Sequence, residues 1–333
     1  MLRTPCQTTA SRATRGLTLI EVVVTILVLV TLFTLLTPRV YIARTPARRA
    51  ECQNNIKQLT TALWNYASRQ NGGLPWLISG KPSQHDRNWV IDLLPDLDQA
   101  AVRRAWDDMT PQQRGSFNSP HLRDLTCPED SQKFGNNAAE LSYVANAGYG
   151  LFTDDSRTGA VTELGTHSPG NFDWDGDGSV TSVDERITVA TGVFWRQHST
   201  TFRVSLDFIG NGDGQSNTIM LTENLNAGKW NSLELLDIAF VAGIGRLRFR
   251  QSPNSKAVLG LKSADLGPFG VQAGLVPGRS PSPSSNHDGV VNMGFADGSA
   301  RQISTKIDAL IYLRLMTPDG QRFGEAMIAN GGY

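Results

Sequence analysis

An unbroken apolar run near the start of the chain is the strongest pattern in the sequence. Residues 17–37 read LTLIEVVVTILVLVTLFTLLT and contain one charged residue, Glu21. At ~1.5 Å per helical residue, such a helix spans about 31 Å, close to the thickness of a bilayer's hydrocarbon core. We therefore predict a transmembrane segment over residues 17–37.

The residues around the start of this run predict processing. A carboxylate inside a bilayer costs ~2.5 kcal/mol or more, so Glu21 needs a partner. The sequence RGLTLIE at 15–21 resembles the site at which prepilin peptidases cut after a glycine. The resemblance implies a leader over residues 1–16, cleavage after Gly16, methylation of the new amine of Leu17, and pairing of Glu21 with an amine of a neighbouring subunit. An uncleaved membrane anchor is the alternative.

Helical periodicity continues beyond the apolar run. Apolar residues recur at spacings of four, three, four and three, which follow one face of a helix. They are Cys52, Ile56, Leu59, Leu63 and Tyr66. The sequence NGG at 71–73 is typical of a helix end. We therefore predict a soluble continuation of the N-terminal helix over residues 38–71.

From residue 72 onward, short apolar stretches alternate with turn-forming residues. Strands are predicted at Trp89–Ile91, Leu141–Val144 and Thr218–Leu221. Helices are predicted at Gln99–Asp107 and after Thr110, which precedes a proline in the first turn. The predicted fold is α+β, with a long N-terminal helix packed on an antiparallel β-sheet head over residues 72–333 that carries loop insertions.

Composition and charge narrow the class of partner. The chain has 333 residues, of which 40% are hydrophobic, enough for a globular core. Basic and acidic residues balance at 31 each. The predicted leader contains Arg3, Arg12 and Arg15 and no acid, so the processed chain would be weakly acidic. No nucleic-acid partner is therefore predicted.

The cysteines leave two structural alternatives. Cys6 lies in the predicted leader, so Cys52 and Cys127 remain in the processed chain. In an exported protein they form either a disulfide or two buried thiols, and the sequence does not choose between them.

Several stretches, in a fixed order, resemble one family. They are ECQNNIKQL at 51–59, ALWNY at 62–66, LTCP at 125–128, SYVANAG at 142–148, DGQSNT at 213–218 and Glu223-Asn224. They are similar to a bacterial family of pseudopilin-like proteins abundant in planctomycetes, the domain of unknown function 1559. Its N-terminal helix resembles that of the major pseudopilin of type II secretion. The resemblance implies a type IV pilin-like fold.

A candidate calcium loop lies at residues 173–185. Oxygen ligands alternate and Gly178 follows them, which lets a short loop wrap around one hard cation. The predicted ligands are Asp173, Asp175, Asp177, Ser179, Thr181 and Asp184. The loop looks similar to dockerin-type and other extracellular calcium loops, which bind Ca²⁺ with Kd of about 10⁻⁴–10⁻³ M. The alternative is a polar turn whose aspartates accept hydrogen bonds from backbone amides.

A histidine motif lies near the C-terminus. His287 is followed after nine residues by Asp297-Gly298, a spacing that resembles the C-terminal motif of the same family. Alternating apolar residues between them predict a hairpin over residues 287–304 with an Asp-Gly turn. We predict a structural role for His287, with metal or ligand binding and catalysis as alternatives. No nucleophile accompanies it, so an enzyme is not predicted.

These features predict a prepilin-type structural protein, a pseudopilin or minor pilin. Its expected partners are a prepilin peptidase, the membrane and other pilin-like subunits, which would assemble head to tail. The head would lie in the periplasm, on a filament or at the cell surface. The alternative is a membrane-anchored surface or envelope protein that binds its ligand without polymerising.

Overall fold

A long helix, α1, begins at Leu19 and ends at Arg69. The computed structural model describes residues 16–81, 84–131, 133–134, 139–150, 152–154, 161–163, 168–174, 177–197, 203–243, 250–251, 257–258, 272–273 and 282–323. Side chains are described in these ranges except at 35–45, 81, 84–86, 152–154, 161–163, 243, 250–251, 257–258, 272–273 and 309. The chain divides into two units, Met1–Ala47 and Arg48–Tyr333, and α1 contributes to both.

The first unit contains the apolar start of α1. Thr18 and Glu21 cap the helix reciprocally, because the Glu21 N–H donates to Thr18 Oγ1 at 3.4 Å and the Thr18 N–H donates to Glu21 Oε2 at 3.1 Å. The large apolar side chains from Leu17 to Phe33 are between 41% and 82% exposed. Among the residues with described side chains, no helix is long and apolar enough to cross a membrane.

The second unit, which we call the head, carries the remaining elements. Its helices are α2 (Trp89–Leu93), α3 (Ala100–Asp107), α4 (Pro111–Gly115), α5 (Ser182–Ala190), α6 (Leu206–Asn211), α7 (Leu235–Ile238) and α8 (Ala309–Met316). Its strands are β1 (Ile78–Lys81), β2 (Gln84–Asn88), β3 (Tyr143–Gly150), β4 (Phe152–Asp154), β5 (Val161–Glu163), β6 (Ile219–Glu223), β7 (Ala239–Gly243), β8 (Arg250–Gln251), β9 (Ala257–Val258), β10 (Gln272–Ala273), β11 (Ser284–Ser285), β12 (Val290–Phe295) and β13 (Ala300–Ser304).

A five-stranded sheet with the order β13-β12-β6-β3-β7 forms the centre of the head. The pairs β13–β12, β12–β6 and β6–β3 are antiparallel, whereas β3 and β7 are parallel. The predicted α+β class is confirmed, but the sheet is mixed rather than wholly antiparallel. The reason is the connection through α7, which carries the chain from β6 to the far side of β3, where β7 runs parallel to it.

The second half of α1 packs on this sheet. The predicted apolar face is fully buried at Cys52, Ile56, Leu59 and Leu63. Burial of each such aliphatic side chain contributes ~1.5–3 kcal/mol. The helix approaches β12 closely, because a Cβ added at Gly294 would lie 2.5 Å from Thr60 Cγ2 and 2.8 Å from Ile56 Cγ2. A side chain at position 294 would therefore push the helix off the sheet.

The local predictions in the head had mixed outcomes. The helices predicted at Gln99–Asp107 and after Thr110 are confirmed as α3 and α4, and Thr110 forms a capping box with Gln113. The strand at Trp89–Ile91 is wrong, since these residues open helix α2. The cause is Asn88, whose side-chain oxygen accepts a hydrogen bond from the Ile91 N–H at 3.0 Å and so starts a helix.

Candidate functional site

A buried group of polar side chains surrounds a disulfide where α1 meets the sheet. Cys52 of α1 is disulfide-bonded to Cys127. The Nε2 atom of His287 lies 3.6 Å from Cys127 Sγ and 3.1 Å from Glu223 Oε1. All these residues are buried, as is Asn292. We call Cys52, Cys127, Glu223, His287 and Asn292 the buried cluster.

Strand pairing brings Glu223 and Asn292 together. Glu223 ends β6, and the last paired positions of the two strands are Thr222 and Met293, so Asn292 lies one residue past the ladder. The Asn292 N–H donates to Glu223 Oε2 at 3.0 Å, and its Nδ2 donates to Glu223 Oε1 at 2.9 Å. The carboxylate therefore satisfies a main-chain donor that the ladder leaves free.

His287 precedes β12 and is fixed from both sides. Its main-chain N–H donates to Ser285 Oγ at 2.8 Å, and its Nε2 contacts the Glu223 carboxylate. A carboxylate oxygen accepts hydrogen bonds, so Nε2 is the ring nitrogen that carries a proton in this contact. The other nitrogen, Nδ1, is buried and has no hydrogen-bond partner among the described residues.

Tyr143 at the start of β3 adds a further contact. Its hydroxyl donates to the main-chain oxygen of Cys52 at 3.5 Å. Burial raises the pKa of Tyr143 well above its usual value, and the charge of Glu223 acts in the same direction. The hydroxyl therefore stays protonated and remains a donor.

The chemistry of the buried cluster fits a structural role in holding α1 and the sheet together. Within the described part of the chain, ligand atoms of Cys52, Cys127, Glu223 and His287 all lie within 4.8 Å of one another, which is close enough for a metal ion. Metal binding needs thiolates, whereas both sulfur atoms are engaged in the disulfide. The same bond removes the thiolate that a cysteine nucleophile requires. The contacts instead join α1, β6 and β12 at one point.

Asp297 and Gly298 lie at the other end of β12 from His287. They form the turn of the hairpin between β12 and β13, where Gly298 has φ +81°. The turn rests on α1, because Trp64 Nε1 donates to Ala296 O at 2.9 Å and the Thr60 hydroxyl donates to Gly298 O at 3.3 Å. The two ends of the histidine motif thus make separate contacts with different partners.

The first part of the candidate calcium loop is folded by its own aspartates. Asp173 Oδ2 accepts from the Gly178 N–H at 2.8 Å, and Gly178 has φ +91°. Asp177 Oδ1 accepts from the N–H and the hydroxyl of Ser179, each at 2.8 Å. Asp175 lies outside the described residues.

The end of the same loop starts helix α5. Thr181 is its N-cap, and the Thr181 N–H and hydroxyl donate to Asp184 Oδ2 at 2.8 Å and 2.6 Å. Asp184 Oδ1 accepts from the Trp174 N–H at 3.0 Å. Asp184 is buried, and both of its carboxylate oxygens accept hydrogen bonds. These bonds join the two ends of the loop.

The predicted processing and assembly residues lie in the first unit. Leu17 is 80% exposed, and a Cβ added at Gly16 would meet no described atom within 4 Å. Glu21 is exposed and contacts Thr18 through its capping hydrogen bonds.

The sequence analysis did not identify Glu223 and Asn292 as site residues. Asn292 falls between alternating apolar residues of β12, a position that the period of two assigns to the opposite face of the sheet. Glu223 carried a usable signal, since a carboxylate at the end of an apolar strand needs a buried partner. The identity of that partner depends on the pairing of β6 with β12.

A family model described as "Protein of unknown function (DUF1559)" matches residues 42–244, more than half of the chain. The chain belongs to this family. The predicted membership of the domain of unknown function 1559 is therefore confirmed. No curated protein and no solved structure matches the chain.

The DUF1559 match covers part of the buried cluster. Cys52, Cys127 and Glu223 lie within it, whereas His287 and Asn292 follow it. The family-like stretches of the sequence converge in space at this point. The stretches at 51–59, 125–128 and 142–148 supply Cys52, Cys127 and Tyr143, and Glu223 and His287 complete the group.

Proposed function

We propose that this DUF1559 protein is a prepilin-type structural protein with a type IV pilin-like arrangement. It is cut after Gly16 by a prepilin peptidase, held through residues 17–37 in a membrane or a filament, and carries its head outside the cytoplasm. The observation that carries the proposal is the exposed apolar start of α1, with one acid in its first turn.

The exposed surface of this helix needs a cover. Every large apolar side chain from Leu17 to Phe33 is exposed, whereas soluble monomers rarely expose apolar patches of more than a few hundred Å². Covering such a surface contributes ~25 cal/mol per Å². In a pilin-like protein, such a surface is buried either by lipid or by the apolar helices of other subunits. The apolar sequence continues to Thr37.

Glu21 is placed to pair with a second chain. Its Oε2 atom accepts both hydrogen bonds from Thr18, and no described residue donates to Oε1. An ammonium group could therefore bind Oε1 without breaking the helix cap. In a poorly hydrated environment, two opposite charges stabilise each other, whereas either alone is penalised. Pairing with the amine of the next subunit would be a heterologous contact, which builds open polymers.

Loss of the Glu21 charge is expected to abolish assembly without blocking processing. In Glu21→Gln the amide oxygen still accepts from Thr18, so the helix cap is kept while the ion pair is lost. We expect cleavage after Gly16 and membrane location to be unchanged, and cross-linked multimers to fall by about tenfold or more, the loss of ~1.4 kcal/mol per contact. Cross-linking in native membranes measures the multimers, and mass spectrometry of the membrane fraction measures cleavage and location.

Glu51→Gln is the matched control. Glu51 lies on the same helix and pairs with Arg123 at 2.6 Å, so its loss removes a charge of the same sign outside the apolar run. Multimers that persist unchanged in Glu21→Gln would reject assembly through Glu21. A wild-type protein that forms no multimers would reject the filament and favour the alternative, a membrane-anchored surface protein that does not polymerise. An intact N-terminus in the wild-type protein would reject prepilin processing itself.

We also propose that the loop at 173–185 binds Ca²⁺ and stabilises the head. The turn at Gly178 and the contact between Trp174 and Asp184 bring the two ends of the loop together, which supports the proposal. At the affinity of extracellular loops, 10 mM Ca²⁺ would stabilise the head by about 1.5–3 kcal/mol. Thermal unfolding in Ca²⁺ and in EDTA measures this.

Asp177→Ala is expected to remove the calcium-dependent shift. Asp108→Ala, which removes an exposed aspartate at the end of α3, is expected to keep it. Equal stability of the wild-type protein in Ca²⁺ and EDTA would favour the polar-turn alternative.

A further inference from the structure

An arginine-lined cavity of about 550 Å³ lies on the head. No residue of the buried cluster lines it. The charged residues of its wall are Arg69, Arg87, Arg103, Arg203, Asp92 and Asp107. We call it the arginine cavity. Its volume lies within the range of about 300–1,000 Å³ that is usual for sites of small organic ligands.

Three of the four arginines are neutralised by carboxylates. Arg103 contacts Asp92 at 3.1 Å and Asp107 at 2.8 Å. Arg87 contacts the same two carboxylates at 3.5 Å and 3.9 Å. Arg69 pairs with Asp96 outside the lining. These pairs give the wall both donors and acceptors without a net charge.

Arg203 is the remaining cation. Its guanidinium carbon lies 5.3 Å from the centre of the Trp76 ring, and no hydrogen bond or ion pair joins it to another described residue. The cation–π contact holds the planar guanidinium at a fixed place in the wall. Its N–H donors have the fork geometry that matches a carboxylate in a bidentate contact.

The surroundings favour a charged contact. Asp92 is largely withdrawn from water, and this burial raises its pKa although the charges of Arg87, Arg103 and Arg203 oppose the shift. A wall that is poorly hydrated strengthens an ion pair relative to one in bulk water. Arg203 is itself half-buried, so an anion that reached it would gain more there than at a fully exposed arginine.

Gln197 adds an uncharged hydrogen-bonding group to the cavity wall that contains Arg203. Its Oε1 atom accepts from the Gly80 N–H at 2.8 Å, which fixes the orientation of the amide. Both N–H groups of Nε2 are left for another partner, since no described residue accepts from them. A hydroxyl group of a ligand could accept from Gln197 and donate to a carboxylate of the wall.

We infer that the arginine cavity binds a carboxylated sugar, whose carboxylate pairs with Arg203 and whose hydroxyls bond to Gln197 and to the Asp92–Asp107 wall. Arg203, which has no ion pair with a described residue, selects an anion. The mixed donors and acceptors select a hydroxylated body over an apolar one. The inference does not depend on polymerisation or processing.

Calorimetric titration of the full chain in detergent tests the inference. The probes are galacturonate and glucuronate, with galactose as the neutral match and inorganic phosphate as an anion without a hydroxylated body. We expect at least one sugar acid to bind with a stoichiometry of one, and galactose to bind at least about tenfold more weakly, as expected for loss of a charge-assisted contact.

Arg203→Gln is expected to weaken binding of the sugar acid by about tenfold or more, through loss of the same contact. Arg203→Lys keeps the charge but not the forked N–H donors. Its affinity for the sugar acid is therefore expected to lie between those of the wild-type protein and Arg203→Gln. Arg104→Gln is the matched control, because Arg104 is an exposed arginine of α3 outside the cavity. It is expected to bind as the wild-type protein does.

Three results would overturn the inference. They are no binding of either sugar acid, unchanged affinity in both Arg203 variants, and phosphate binding as tight as that of the sugar acids. The last result would show a simple anion site. Binding is measured on the isolated chain, so the result remains interpretable if the wild-type protein forms no multimers and the proposed filament is rejected.

Discussion

Replacement of Glu223 by alanine is expected to lower the free energy of unfolding by about 3–5 kcal/mol, the cost of breaking a buried polar pair on one side. Glu223 is 2% exposed and accepts three hydrogen bonds, two from Asn292 and one from His287. Its removal leaves these buried donors unsatisfied next to a disulfide. Guanidinium unfolding followed by circular dichroism measures the change.

Two further variants define the cause. Glu234→Ala removes an exposed acid before α7 and is expected to change stability by no more than about 0.5 kcal/mol. Glu223→Gln keeps the shape of the side chain and one acceptor oxygen. Its free energy of unfolding is therefore expected to lie between those of the alanine variant and the wild-type protein. A Glu223→Ala protein as stable as Glu234→Ala would show that the buried cluster does not tie the strands together.

Loss of the disulfide is expected to destabilise the head by about 4 kcal/mol in the chain-entropy model. The bond closes a loop between residues 75 positions apart, so its removal frees a long segment in the unfolded chain. The Cys52→Ala/Cys127→Ala double variant and the reduced wild-type protein should both unfold at lower denaturant concentration. Thiol labelling with mass detection reports the state of each cysteine.

Cys6→Ser is the control for cysteine replacement. Cys6 lies in the predicted leader, and its loss is expected to change neither stability nor the labelling of Cys52 and Cys127. Equal unfolding midpoints for the oxidised and reduced protein would mean that the noncovalent contacts of His287 and Glu223 alone hold this point of the fold.

The buried cluster and the arginine cavity give the head two independent features. The cluster joins α1, β6 and β12, and its residues are buried in contact with one another. The cavity instead combines the guanidinium of Arg203, held against Trp76, with amide donors of Gln197 that no described residue accepts from. Stability of the head and ligand binding should therefore respond to different substitutions.

Local patterns in the sequence were sufficient for elements whose residues lie close together along the chain. The period of the apolar residues from Cys52 to Leu63 predicted a buried helix face, because neighbours on a helix surface are three or four residues apart. Alternation before Asp297 predicted a hairpin, and the structure has β12 and β13 there. The ordered family-like stretches predicted the family, which the comparison confirmed.

The site itself depended on contacts between distant residues. The pairing of Cys52 with Cys127, the contact of His287 with Glu223 and the parallel pairing of β7 with β3 join segments that only packing brings together. Trp89–Ile91 was too short a run to distinguish strand from helix, and the side chain of Asn88 decided it. The sequence determined the helix, the hairpin and the family because these follow from local spacing. Tertiary structure alone decided which polar side chains are buried together, since the burial of Glu223 and His287 depends on the segments packed around them.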